Sequence, residues 1–198
     1  MVETAVVGFR VHSGWAAAVV VSGPVKTPVV VERRKIQLVK LFSYTYRQPY
    51  HTAKAMTPPE AAKFIRRVQA DGKRMGVASL RSLQADVQAA GWKIAHAAVL
   101  LASGRALPVL EKILASHALI HTADGELFRE SLRAACEQCE LPVSAMREKE
   151  LFAAASKKLG LPPAQLKQRI AGLGKSLGPP WTEDEKLATL AAWLTLAR

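Results

Sequence analysis

The chain has 198 residues and a mass of 21.5 kDa. With 49% apolar residues it is long enough to bury a sizeable core, and a single domain over residues 1–198 is expected. The formal charge is +12 and the pI about 10.1; residues 1–110 hold 16 basic and 5 acidic side chains, residues 111–198 hold 12 and 11, so the excess lies in the first half and favours a polyanionic partner such as nucleic acid. Two cysteines, Cys136 and Cys139, cannot build a disulfide framework. No basic-then-apolar leader opens the chain and no apolar run approaches the ~18 residues of a membrane span. The expectation is a cytoplasmic protein without membrane association.

The first 46 residues read as strand. Thr4–Val11 and Gly14–Val21 are rich in valine and alanine, Gly23-Pro24 marks a turn, and Val29–Phe42 begins apolar and then alternates through Ile36, Leu38 and Phe42. Three strands with short connections predict an antiparallel meander. Thr57-Pro58-Pro59-Glu60 has the form of a helix start, and the helix carries Ala61, Ala62, Phe64, Ile65 and Val68. Gly72 and Gly76 are expected to interrupt it before a second stretch through Leu80, Leu83 and Val87. Gly91 ends that stretch, and Ile94–Ala102, flanked by Gly104, fits a buried strand parallel to an earlier one. Helical spacing follows over Pro108–Leu119 and from about Gly125 to Glu140, with Leu141–Met146 as a fifth strand. The remainder reads as helix over Glu150–Leu159, Pro163–Leu173 and Thr182–Leu196, the last with a Thr182–Glu185 capping box.

This order of elements resembles the ribonuclease H-like fold, an α/β architecture in which a three-strand antiparallel meander is extended by two parallel strands into a five-stranded mixed sheet with helices on both faces. Within that superfamily the RuvC-type Holliday-junction resolvases carry Gly-apolar-Asp-x-Gly on strand one. The corresponding stretch here is Gly8-Phe9-Arg10-Val11-His12-Ser13-Gly14-Trp15. The C-terminal part is similar too, with Pro142–Met146, then Arg147-Glu148-Lys149-Glu150-Leu151, and a final Glu183-Asp184-Glu185-Lys186-Leu187-Ala188 helix where the family has an acid-rich one. The resemblance implies carboxylates from strand one, strand four and the last helix holding two divalent metals about 3.5–4 Å apart, with the oxygen ligands that Mg²⁺ demands. The matching first residue is Arg10, strand four has no acid, and Glu183, Asp184 and Glu185 remain on the last helix. A guanidinium repels a metal ion. The expectation is a nucleic-acid-binding or scaffold module, a pseudo-nuclease with no cofactor, in which Glu183–Glu185 serve as favourable charge at a helix N-terminus. One alternative is a metal-dependent hydrolase using His12, His121, Glu126 and Glu185 in the same fold. Another is a structural protein whose last helix pairs with a second copy through Leu187, Leu190, Trp193 and Leu194.

Other clusters carry chemistry of their own. His117, His121 and Asp124 are spaced to share one helical face and could hold one Zn²⁺ or Fe²⁺ ion; against this, Thr122, Asp124 and Gly125 are also residues that end one helix and start the next. If a helix starts there, His121, Glu126 and Arg129 would line an anion-binding cleft at its N-terminus. Cys136 and Cys139 read as ordinary helix cysteines, and Gly172-x-Gly174-Lys175-Ser176 lacks the strand and upstream glycine of a phosphate loop. Arg33, Arg34, Lys35 and Lys40, with Arg66, Arg67, Lys73, Arg74 and Arg81, would form a phosphate-binding stripe if strand three and the first helix share a surface. Tyr44, Tyr46 and Tyr50 interleave with Arg47 and His51, the mixture that stacks bases and neutralises phosphates; the same tyrosines could equally pack on the sheet. Trp15, Trp92, Trp181 and Trp193 are expected in the core.

Overall fold

Two strands joined by only Ser13 and Gly14 must turn tightly, and Gly14 takes the positive φ of 86° that such a turn requires. In the computed structural model, which describes residues 3–102 and 106–198, β1 (Glu3–His12) and β2 (Trp15–Ser22) pair antiparallel around this turn. β3 (Val29–Gln37) continues the meander. β4 (Trp92–Leu101) adds parallel to the free side of β1, and β5 (Val143–Arg147) adds parallel to β4. The sheet order is therefore β3-β2-β1-β4-β5, the mixed five-stranded arrangement expected from the sequence. Gly104, which bounded the fourth strand in that reading, lies outside the described residues.

Side chains alternate across a strand, so β1 feeds two cores. Ala5, Val7, Phe9 and Val11 face one layer, built from α1 (Tyr44–Arg47), α2 (Pro49–Ala53), α3 (Pro58–Ala89), α4 (Leu110–Leu114) and α5 (His117–Gln138). Val6 faces the other, built from α6 (Leu151–Leu159), α7 (Pro163–Leu173) and α8 (Glu183–Leu196).

Two helix boundaries and one strand end differ from the sequence reading. Gly72 and Gly76 do not break α3, which runs unbroken for 32 residues from a Thr57–Glu60 capping box. They are contact points instead: a Cβ on Gly76 would lie 2.9 Å from the Ala135 Cβ, and one on Gly72 3.1 Å from Ser131 Oγ. Small residues one turn apart let α3 and α5 cross closely. The break expected near residues 122–125 falls earlier, where Ser116 accepts a hydrogen bond from the Leu119 amide and starts α5. Thr122, Asp124 and Gly125 lie inside that helix. β3 ends at Gln37 rather than Phe42, because Leu38 and Val39 turn inward and are fully buried.

The last helix is also placed differently from one of the expectations. Leu187, Leu190, Trp193 and Leu194 are buried against the chain's own sheet, and Trp193 Nε1 donates to the Val25 carbonyl at 2.8 Å. These four side chains are thus covered within the chain itself. No helix among the described residues is long and apolar enough to cross a membrane.

α8 lies close on β1 because Gly8 offers no side chain. A Cβ there would stand 2.0 Å from the Ala188 carbonyl oxygen, a backbone atom that cannot swing aside. Gly8→Val is therefore expected to destabilise the fold by about 3 kcal/mol or more, the upper range for overpacking. Urea midpoints would check this; a variant within about 0.5 kcal/mol of the parent, the range of ordinary surface substitutions, would mean that α8 is not held at this depth.

Candidate functional site

The contact at Gly8 sets the geometry of the next turn. Two residues further along β1, on the same face, stands Arg10; four residues back along α8 from Ala188 stands Asp184. Two strand residues and four helical residues each advance the chain by about 6 to 7 Å, so the two side chains meet. Arg10 Nη1 donates to Asp184 Oδ1 at 2.5 Å. The other edge of the guanidinium is taken by Glu148, just beyond β5, in a bidentate pair with Nε to Oε2 at 2.9 Å and Nη2 to Oε1 at 2.8 Å. His12, the next residue on this face, places Nε2 2.7 Å from the same Asp184 oxygen.

The electrostatics follow from this fork. Hydrogen bonding to Glu148 raises the Arg10 pKa; burial opposes it, and Asp184 and both carboxylate charges add to the rise. For Asp184 burial pushes the carboxyl up, but the hydrogen bond and charge of His12, with those of Arg10, outweigh it and hold the group below its ordinary range. The centre is thus two carboxylates sharing one guanidinium, with the His12 imidazole on Asp184 as a further partner.

A metal pair of the kind the fold resemblance implies does not fit these residues. The position expected to supply the first carboxylate holds Arg10, and its guanidinium fills the space between the two acids that remain. β4 contributes no acid, as the sequence reading expected; Glu148, from the neighbouring strand's end, was not foreseen, since nothing in its local pattern ties it to Arg10 138 residues away.

Other sequence candidates are placed as follows. Glu185 is engaged in the capping box with Thr182, whose amide and hydroxyl it accepts at 2.7 and 2.6 Å, so Asp184 alone of the three acids turns to Arg10. Glu126 pairs with Arg129 at 3.4 Å along α5, well inside that helix and not at its N-terminus, so the expected anion cleft does not form there. His12, His121, Glu126 and Glu185 each have a separate partner and do not converge. Cys136 is buried, and burial, with the Cys139 and Glu137 charges, pushes its thiol up to about 12; Cys139 is raised mainly by burial too. Both are poor nucleophiles.

His117 and His121 do share one face of α5, with their Nε2 atoms 3.1 Å apart. Their third neighbour is not Asp124 but His51 of α2, whose ligand atom lies within 4.8 Å of both. Asp124 is only 2% exposed and stands behind His51, its Oδ2 2.5 Å from Nδ1, while Oδ1 accepts the Tyr50 amide at 2.7 Å. Burial pushes the Asp124 carboxyl up, against the pull of these two hydrogen bonds and of the His51 and His121 charges.

The basic residues do not form one stripe. Adjacent strand residues face opposite sides, so Arg33 reaches over to the Gly178 and Pro180 carbonyls, while Arg34 pairs with Asp86 of α3 at 2.9 Å and with Glu32. Lys35 lies over Trp15, with Nζ 4.4 Å from the ring centre, and 5.1 Å from the Phe42 ring. Trp15 in turn stacks on His12 at 4.5 Å and 13°, and Arg47 covers Phe42 at 4.3 Å. A continuous run of rings and cations, His12, Trp15, Lys35, Phe42 and Arg47, thus leads from the Arg10 centre to α1. Beside it Tyr44 is 63% exposed, whereas Tyr46 and Tyr50 pack on the core. Trp15 is half-buried rather than a core residue. Arg66, Arg67, Lys73, Arg74 and Arg81 lie along the outer side of α3, where residues 67, 74 and 81 fall at seven-residue spacing; Arg74 is paired with Asp71.

No family model matches the chain, and no curated protein matches it. Among solved structures it is similar to Thermus thermophilus RuvC in complex with a Holliday junction substrate, with a TM-score of 0.55, 11% identity, and 98% of this chain and 94% of that chain covered. A second Thermus thermophilus RuvC structure gives a TM-score of 0.53, 10% identity, and coverage of 98% and 93%. The chain therefore has the RuvC-type ribonuclease H-like fold.

A carboxyl held below its ordinary range stabilises the fold above the unfolded-state pKa, near 3.9 for Asp, and the contribution is lost as pH falls through the lower folded value. The urea midpoint of the parent is expected to drop on acidification below about pH 4. Asp184→Asn should flatten that drop; an unchanged acid limb in the variant would show that the Arg10–Asp184–His12 contacts carry no stability.

Proposed function

We propose that this protein is a nucleic-acid-binding module on the RuvC-type fold, in which Arg10 replaces the catalytic metals and two-metal hydrolysis is lost. The observation that carries the reading is the Arg10 fork, which occupies both remaining acids where the mechanism needs a bridging carboxylate. Binding is supported by the adjoining run of His12, Trp15, Lys35, Phe42 and Arg47, which offers ring faces for bases and cations for phosphates. It is supported as well by the outer side of α3 and by the excess charge of the first half. The likeness to a structure of RuvC with a Holliday junction substrate is consistent with such a partner.

Two experiments test the two halves of this reading. Incubation with branched and linear DNA and RNA in Mg²⁺ or Mn²⁺ is expected to give no cleavage, and Mn²⁺ binding at this centre is expected only in Arg10→Asp, which returns an acid to the position. Metal-dependent cleavage by the parent, abolished in Asp184→Ala, would overturn the first half. Binding should weaken steeply as salt rises, with a log–log slope of about −0.7 to −0.9 per phosphate contact. Lys35→Ala with Arg47→Ala should flatten the slope by about 1 to 2; no association with any of these nucleic acids at about 50 mM salt would overturn the second half.

A further inference from the structure

On the opposite helical layer from the Arg10 centre, three imidazoles from two helices face one point. His117 and His121 are four residues apart on α5, so they stand one above the other on its surface, and both are exposed. Their Nε2 atoms are 3.1 Å apart, close to the ~3.3 Å that separates two nitrogens bound at 2.0–2.1 Å to a tetrahedral ion. His51 arrives from α2, with its ring centre 4.4 Å from that of His121 and 5.4 Å from that of His117. Of the three, His51 is held in place by a fourth group. That group is Asp124, buried, fixed by the Tyr50 amide, and 2.5 Å from His51 Nδ1. With the Nδ1 proton directed at the carboxylate, the Nε2 lone pair of His51 is left for a ligand. Carboxylate–imidazole–metal is the arrangement by which proteins orient and strengthen a histidine ligand.

We propose that His51, His117 and His121 form a metal site for a divalent first-row transition ion, zinc in the first instance, with Asp124 as the positioning residue behind His51. Imidazole is the donor preferred by zinc over magnesium or calcium, which demand oxygen. The three nitrogens would supply three of the four positions of a tetrahedral ion, His51 closing in from within 4.8 Å of the other two, and water on the exposed side of His117 and His121 would supply the fourth. The ion ties α2 to α5. Because α2 follows directly on α1, it also anchors the segment that carries Tyr44 and Arg47. The site is independent of the Arg10 centre: it uses none of the same residues and a different donor chemistry.

The test uses the full chain without a histidine tag. Titration with Co²⁺ is expected to give one equivalent bound, with the intense visible absorption of a four-coordinate cobalt–imidazole site, displaced by Zn²⁺ and unaffected by millimolar Mg²⁺. His117→Gln and His121→Gln, at exposed positions where the fold is not at stake, should each abolish the band while leaving the circular dichroism unchanged. Asp124→Asn should keep the band and weaken affinity about 10- to 100-fold; because Asp124 is buried, its melting temperature in chelator is compared with the parent's first. Zn²⁺ should raise the melting temperature of the parent and not of the two histidine variants. No four-coordinate cobalt spectrum, or one that survives His121→Gln, would overturn the proposal, and neither result bears on nucleic-acid binding or on the Arg10 centre.

Discussion

The close approach of α8 to β1 at Gly8 is the constraint on which the rest of the architecture turns. A helix backbone seated directly on a strand leaves no freedom in the relative position of the two elements. The meeting of Arg10 with Asp184 then follows from the axial advance of each chain, about 3.3 Å per strand residue and 1.5 Å per helical residue. The Glu148 arm extends the same tie to the end of β5. Three segments far apart in sequence are joined at one guanidinium, and the planar fork of arginine suits two carboxylates approaching from different sides in a way an ammonium would not.

Half-buried ion pairs are poor sources of net stability, since desolvation offsets most of the attraction. Most of the stability of this region comes from the apolar layer beneath it, where Trp193, Leu187, Leu190 and Leu194 are buried on the sheet, and the share carried by Asp184 is the smaller, pH-dependent one. What the charged groups fix is the identity of the site. With Arg10 removed, Glu148 and Asp184 would face each other without a counter-ion, and His12 alone would remain to balance them.

The sheet was legible in the sequence because its signals are local. Valine and alanine runs, the Gly23-Pro24 turn and the absence of charge in Ile94–Ala102 each report on strands, and the resemblance of their order to the ribonuclease H-like fold supplied the topology. Arg10 was legible through the resemblance of Gly8–Trp15 to the family's strand-one motif, and Asp184 as one of three acids at the start of the last helix. Their convergence was not, because Glu148 and Asp184 are 138 and 174 residues from Arg10 and no local pattern encodes which of Glu183, Asp184 and Glu185 turns inward. The same limit applies to the histidines. His117 and His121 were found by their spacing, but Asp124 was set beside them where the structure brings His51, because a buried aspartate in mid-helix and one at a helix cap look alike in sequence. The glycines at 72 and 76 were misread for a related reason: a residue that breaks an isolated helix is, in a packed pair, the residue that lets a second helix come near.

The internal pairing of Arg10 has a consequence for how a polyanion would meet this end of the sheet. A cluster of bare carboxylates carries a negative field that phosphate oxygens can enter only after dissolved cations have filled it, so association there is gated by the supply of ions. Here the counter-charge is covalently part of the chain, present at all times and insensitive to chelation. The potential around Glu148 and Asp184 is cut by about half by the Arg10 charge. A phosphate backbone tracking along Lys35 and Arg47 would meet less repulsion at this terminus than bare carboxylates would exert, and what remains would be screened by ordinary salt.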